Sequence, residues 1–172
     1  MKKHLHTAVL TLILTAALLL CACAGGSFRN DLSAADVADK LTAALPQTGR
    51  HAVADDYISY SAFGEDKDLL LEKTDSHVIL IADNSDMNID EIGVFHVTSA
   101  SDVAAVRALL EEYTAAQALR WKDLLAGYNP GESPKLDHAG VKVCGQYVLY
   151  TILSGADTET AQSEFEKLLK AE

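Results

Sequence analysis

The sequence predicts an α+β fold: an antiparallel sheet of about four strands in two hairpins, packed by a long central helix and by terminal helices. Three observations carry this expectation. A β-branched run at Val78–Ile81 and an apolar segment at Glu91–Val97 flank a link rich in Asn, Asp and Ser. Val141–Cys144 and Tyr147–Leu153 flank Gly145-Gln146, a pair suited to a tight turn. Between these pairs, inward-type residues recur at three- and four-residue steps from Val103 to Leu124.

The chain opens on Met1-Lys2-Lys3, and Leu5 to Leu20 is apolar apart from His6 and three threonines. A cationic start, an apolar run and small residues at the cut describe a secretory signal over residues 1–22. The run falls short of the ~20 residues that a spanning helix needs. Leu20 stands three places before Cys23 and small Ala22 just before it, the pattern of a lipoprotein cut. Cys21 would have Leu18 and Leu20 in those places, and a leucine beside the cut does not fit. Cys23 is therefore the expected lipidation site; the alternative is an ordinary signal cut after Ala22 or Ala24. Gly25-Gly26-Ser27 suits a flexible tether over residues 23–32, leaving 33–172 as a single domain.

Ser33 reads as an N-cap, with Asp36 three places on and Val37, Leu41 and Leu45 on one face; Pro46 stops the helix. Residues 47–64 show no clear period and read as irregular, and Asp66–Glu72 is a short helical pattern. Val78–Ile81 reads as a buried strand, and Glu91–Val97 as an alternating one whose apolar positions are Ile92, Val94 and Phe95. Ser99 or Ser101 can cap the long helix, which runs to about Ala126 with Val103, Val106, Leu110, Tyr113, Gln117, Arg120 or Trp121, and Leu124 inward. Gly127 ends it, Asn129-Pro130-Gly131 prevents its resumption, and Gly131–Asp137 is a polar loop. After the second hairpin, Asp157 caps a final helix with Ala161, Phe165, Leu168 and Leu169 facing inward.

Asn88-Ile89-Asp90-Glu91-Ile92-Gly93-Val94-Phe95, the long helix with its polar loop, and Gly145-Gln146-Tyr147-Val148-Leu149 together resemble a known group. The chain is similar, over roughly residues 65–155, to the domain-of-unknown-function family 4358, small lipoproteins of Firmicutes. The resemblance implies an extracytoplasmic lipoprotein and implies no activity. Cys144 before the turn departs from the family's pattern, so any role for that thiol would belong to this chain alone.

The chain carries 14 basic and 25 acidic side chains, a net charge of −11. Loss of residues 1–22 removes Lys2 and Lys3 and no acid, which takes the net to −13. Such a domain repels phosphate backbones, so nucleic acid is not an expected partner. Beyond the signal and the anchor only Cys144 remains, and one thiol makes no internal disulfide.

The stretch Asp83 to Glu91 is the densest oxygen cluster and invites calcium. Counted from Asp86, however, Glu91 stands where an EF-hand loop needs Gly, and Val97 where it needs the closing Glu. Asp90 and Glu91, as strand neighbours, point to opposite faces and do not converge on one substrate without a bulge. Cys144 has no nucleophile signature around it, and His51, His77, His96 and His138 show no metal-ligand spacing. Tyr57, Tyr60, Phe63, Trp121 and Tyr128 are either core packing or the lining of a groove. No catalytic, cofactor or metal residue is assigned; Asp90, Glu91, Tyr147 and Trp121 are the candidate binding residues.

The expected function is a non-enzymatic protein- or peptide-binding module. It would be held at the outer face of the cytoplasmic membrane by a diacylglyceryl group on Cys23, with an envelope protein as its partner. The alternative is a small-molecule or ion-binding accessory lipoprotein. A hydrolase using Cys144 or a carboxylate is the third reading.

Overall fold

The computed structural model describes residues 27–46, 49–53, 63–64, 67–83 and 87–171. Cys23 and the signal lie outside them, as do Tyr57, Tyr60 and Asp86. The described elements run α1 (Ala34–Ala43), β1 (Arg50–Ala52), α2 (Lys67–Lys73), β2 (Thr74–Ala82), β3 (Glu91–Val97), α3 (Val103–Tyr128), α4 (Pro134–Asp137), β4 (Gly140–Cys144), β5 (Tyr147–Ile152) and α5 (Gly155–Leu169). No helix among the described residues is long and apolar enough to cross a membrane.

The α+β expectation holds. Both hairpins form, β2 with β3 and β4 with β5, and they join where β3 pairs with β5. All pairings are antiparallel, in the order β1-β2-β3-β5-β4, so the described residues give five strands rather than four. The addition is β1, which lies in the stretch read as irregular and pairs Arg50 with Ala82 and Ala52 with Leu80. Its three residues carry no apolar alternation; the edge of β2 supplies their order.

Helices cover both faces of the sheet. On one face, Val37 and Leu41 of α1 and Phe165 and Leu169 of α5 pack on Ile92, Val94, Tyr147 and Leu149. On the other, Leu70 of α2 and Val106, Leu110 and Tyr113 of α3 pack on Ile79, Phe95, Val97, Val148 and Tyr150. Every residue of β3 and of β5 is buried as a result. The alternation read in Glu91–Val97 is corrected accordingly, because a strand covered on both sides has no solvent face. Gly145, at φ 60°, is the one left-handed residue of the β4–β5 turn, which suits glycine at its first central position.

Helix ends divide into confirmations and corrections. Ser33 and Asp36 form a reciprocal capping box on α1. Ser99 and Ser101 do not cap α3: their hydroxyls bond each other at 2.9 Å, and a 3-10 turn at Ala100–Asp102 leads into the helix. That helix runs through Gly127 to Tyr128. Its inward stripe passes from Gln117 to Trp121 and Leu125, which leaves Leu124 40% exposed instead of facing the core. The expected polar loop contains a 3-10 turn at Pro130–Glu132 followed by α4. On α5 the cap is Ser154, whose hydroxyl accepts from the Asp157 N–H at 3.2 Å; Asp157 sits three residues inside.

The expected tether differs from Ser27 onward. The Ala171 N–H donates to the Ser27 carbonyl and the Arg29 N–H to the Leu169 carbonyl, both at 2.8 Å. Phe28 bridges Lys170, and Leu32 exchanges hydrogen bonds with the Tyr147 hydroxyl. Residues 27–32 are thus docked onto the fold.

Candidate functional site

The chain enters β3 through Asn88-Ile89-Asp90-Glu91. The Asn88 side-chain oxygen accepts from the Asp90 N–H at 2.9 Å, the short-range Asx contact that shapes a turn. Asp90 and Glu91 then project to opposite sides, as strand geometry requires. Each ends in a different buried polar group.

Asp90 is 5% exposed and lies between two cations. The Arg50 Nη2 donates to its Oδ2 at 2.5 Å, and the Lys135 Nζ to its Oδ1 at 2.6 Å. Lys135 also reaches Glu132 at 2.7 Å and Asn88 at 2.9 Å, while Glu132 accepts from the Ile89 N–H at 3.0 Å. Two cations thus meet two carboxylates, so the cluster balances its own charge. Buried charges persist only when paired in this way. The network ties β1, the start of β3 and the turn before β4 into one corner.

Glu91 is 6% exposed and faces α3. The hydroxyls of Tyr113 and Tyr150 both donate to its Oε1 at 2.5 Å. The Gln117 Nε2 donates to the Tyr113 hydroxyl at 2.8 Å. Burial pushes the Glu91 carboxyl above the ordinary carboxylate range, against the two tyrosine hydrogen bonds and the nearby Arg120 charge. Burial also holds the Tyr150 phenol well above its usual value, and the Glu91 charge adds to that. Space for the Tyr150 ring comes from Gly93, its direct cross-strand partner.

A cavity of about 90 Å³ opens beside this carboxylate, lined by Asp90, Glu91, Gln117, Arg120 and Trp121 together with Ile81, Ala82, Asn88 and Ile89. Gln117 is 2% exposed, and its Oε1 has no hydrogen-bond partner among the described residues. Arg120 is exposed and lies over the Trp121 ring, 5.8 Å from its centroid. The cavity lining thus includes a buried carboxylate, an amide oxygen without a described partner and an indole.

The structure brings three of the four candidate residues, Asp90, Glu91 and Trp121, to this cavity. Tyr147 is corrected: it is fully buried on the opposite face, its hydroxyl spent on the Leu32 backbone and its ring against His96 at 4.5 Å. Sequence reasoning missed Arg50, Lys135, Tyr150 and Arg120 as site residues and read Tyr113 and Gln117 only as core. The partners of Arg50, Lys135, Tyr113 and Tyr150 at the two acids are distant in sequence; the one local signal was an acid pair opening an apolar strand.

The remaining candidate residues take the following places; residues 84–86 of the oxygen cluster lie outside the described ones. Within the oxygen cluster Asp83 pairs with His51 and Asp90 with Arg50 and Lys135, and no group of metal-ligating residues gathers among the described residues. Cys144 is buried, and burial pushes its thiol up to about 11, far from a thiolate at neutral pH. His96 is engaged by Asp75 and Asn30. Phe63 stacks on Tyr113 at 3.9 Å and is core packing, whereas Tyr128 is exposed.

Residues 67–153, about half of the chain, match the family model described as Domain of unknown function (DUF4358). No curated protein and no solved structure matches the chain.

Proposed function

The chain belongs to the DUF4358 family, and from that premise we propose that it is an extracytoplasmic lipoprotein serving as a non-enzymatic binding module at the cell envelope. A diacylglyceryl group on Cys23 would hold it at the outer face of the cytoplasmic membrane. Two acyl chains anchor a protein stably where one does so only marginally. The protein or peptide partner engages the corner of the sheet at Glu91.

The observation that carries the binding role is the cavity beside Glu91, where the buried Gln117 oxygen has nothing to accept from among the described residues. An unmet acceptor in a folded interior costs roughly 1–3 kcal/mol, and a bound group that donates to it recovers that cost. The non-enzymatic reading draws on two further features. The Cys144 thiol is held protonated by burial, and Asp90 is committed to Arg50 and Lys135.

Mild crosslinking in intact cells followed by affinity capture should recover a reproducible envelope partner, and Glu91→Gln should diminish that recovery. Capture that is indifferent to Glu91 would remove this surface from consideration. Separately, Cys23→Ala should move the protein from the detergent phase to the aqueous phase. Mass spectrometry should find the acylated cysteine at the mature amino terminus.

The small-molecule accessory reading has one observation of its own. A cavity of about 90 Å³ accommodates only a handful of heavy atoms. A thermal-shift screen with small polar solutes separates it from protein recognition.

A further inference from the structure

We propose that the cavity beside Glu91 is a receptor for a primary ammonium group, either the end of a lysine side chain or a small free amine. This rests on the reading of that cavity as the binding site and adds the chemical class of what enters it.

The inference begins with hydrogen-bond directions. Both tyrosine hydroxyls donate to Glu91 Oε1, so the Tyr113 oxygen has spent its proton and accepts from Gln117. Only the amide nitrogen of Gln117 can donate there, so turning the amide over would set two acceptors against each other. Gln117 Oε1 is therefore fixed as the unpartnered atom. Glu91 Oε2 also has no hydrogen bond described. The cavity thus presents two acceptor oxygens and needs a ligand that donates.

Charge narrows the class. Asp90 is matched by Arg50 and Lys135, but Glu91 has no described ion-pair partner. The Arg120 charge, which lies over Trp121, acts on Glu91 through space. An anion would meet a carboxylate and an amide oxygen, which repel it. Calcium would want six to eight oxygens, and no metal-ligating group forms among the described residues. A quaternary ammonium carries no N–H for either acceptor. A primary ammonium carries three donors and is compact enough for about 90 Å³.

Trp121 is the chain's one tryptophan, so its emission reports on the site directly. The purified full-length mature protein in neutral detergent would be titrated with methylammonium chloride at constant ionic strength. Tetramethylammonium and sodium chloride serve as controls, and a blocked lysine amide forms a second arm. Saturable emission change with methylammonium and not with either control is expected. Saturation by the lysine amide as well assigns a side-chain source, and its failure assigns a free amine.

Glu91→Gln and Gln117→Met, each checked for an unchanged far-ultraviolet spectrum, should weaken methylammonium roughly tenfold or more. Arg120→Ala should tighten it by removing a like charge at the rim. An equal response to tetramethylammonium, undiminished binding to Glu91→Gln, or no saturation at all would overturn the proposal, the last meaning that water alone fills the cavity. Partner capture that still depends on Glu91 while methylammonium fails would leave the binding site standing and remove only the ammonium.

Discussion

Gly93→Ala tests how the glutamate is held. A Cβ at this position would lie 1.9 Å from Tyr150 Cε1 and 2.6 Å from both Cδ1 and Cζ, so the two cannot coexist. Gly93 and Tyr150 are direct partners on the two central strands, and pairing on both sides prevents the backbone from yielding. The ring must move instead. It is fully buried between Phe95 and Tyr113, with centroids at 6.1 and 5.2 Å, and its displacement draws the hydroxyl away from Glu91. Overpacking costs about 1–3 kcal/mol, and losing a hydrogen bond to a charged group about 1.5–3 kcal/mol. Alanine's better backbone entropy in a strand returns about 0.5–1 kcal/mol. The net expectation is a loss of about 2–5 kcal/mol, a large share of the ~5–15 kcal/mol that a domain has.

Urea unfolding followed by Trp121 emission measures this loss, with a midpoint lower by roughly 1–2 M. The mechanism itself is tested by a double-mutant cycle with Tyr150→Val, which has no atom where the ring lay. In that background Gly93→Ala should be neutral or slightly stabilising. A loss below about 0.5 kcal/mol in the native background, or the same loss with and without the ring, would refute the reasoning.

Further expectations concern the two acids and the thiol. Because burial raises the Glu91 carboxyl above its unfolded value, the native state holds that proton more tightly, and this stabilisation is lost as pH rises through the folded value. Glu91→Gln should therefore be more stable than the native chain at pH 8 and lose that advantage at pH 4; urea midpoints at the two pH values decide the sign. Asp90→Asn takes the described carboxylate from buried Arg50 and leaves Lys135 with the Glu132 carboxylate alone, and should cost about 3–5 kcal/mol. A change in melting temperature indistinguishable from zero would mean that the corner is solvated. Cys144, buried with its thiol near 11, should react with a thiol reagent at pH 8 roughly a hundredfold slower folded than unfolded. Equal rates would show that the thiol is open to solvent.

Local chemistry accounts for what could be read from the chain. Ser33 and Asp36 announce a capping box by their own spacing, Gly145-Gln146 announces a turn, and the stripe from Val106 to Gln117 announces a helix. Features set by distant partners were hidden. Arg50–Ala52 is a strand only because β2 offers an edge 30 residues away in the pairing of His51 with Ile81. Asp90 finds its cations 40 and 45 positions away, and Glu91 finds its tyrosines 22 and 59 positions away. Tyr147 shows the opposite failure. An aromatic next to a turn suggests exposure, but a sheet covered by helices on both sides leaves no such surface.

The docking of Ser27 against Ala171 has a consequence for how a lipidated chain would hang from a bilayer. Only four residue steps separate Cys23 from that contact, a reach of at most ~14 Å. The edge bearing Arg29, Lys40, Lys167 and Lys170, where Asp31 pairs with Arg29 and Glu164 with Lys167, would ride close to the headgroups. Asn30 touches His96 at the near end of β3, whereas Glu91 begins the same strand five steps further on, about 17 Å away. The globule would then behave less like a float on a line than like a short post, with its acidic notch carried at the distal end.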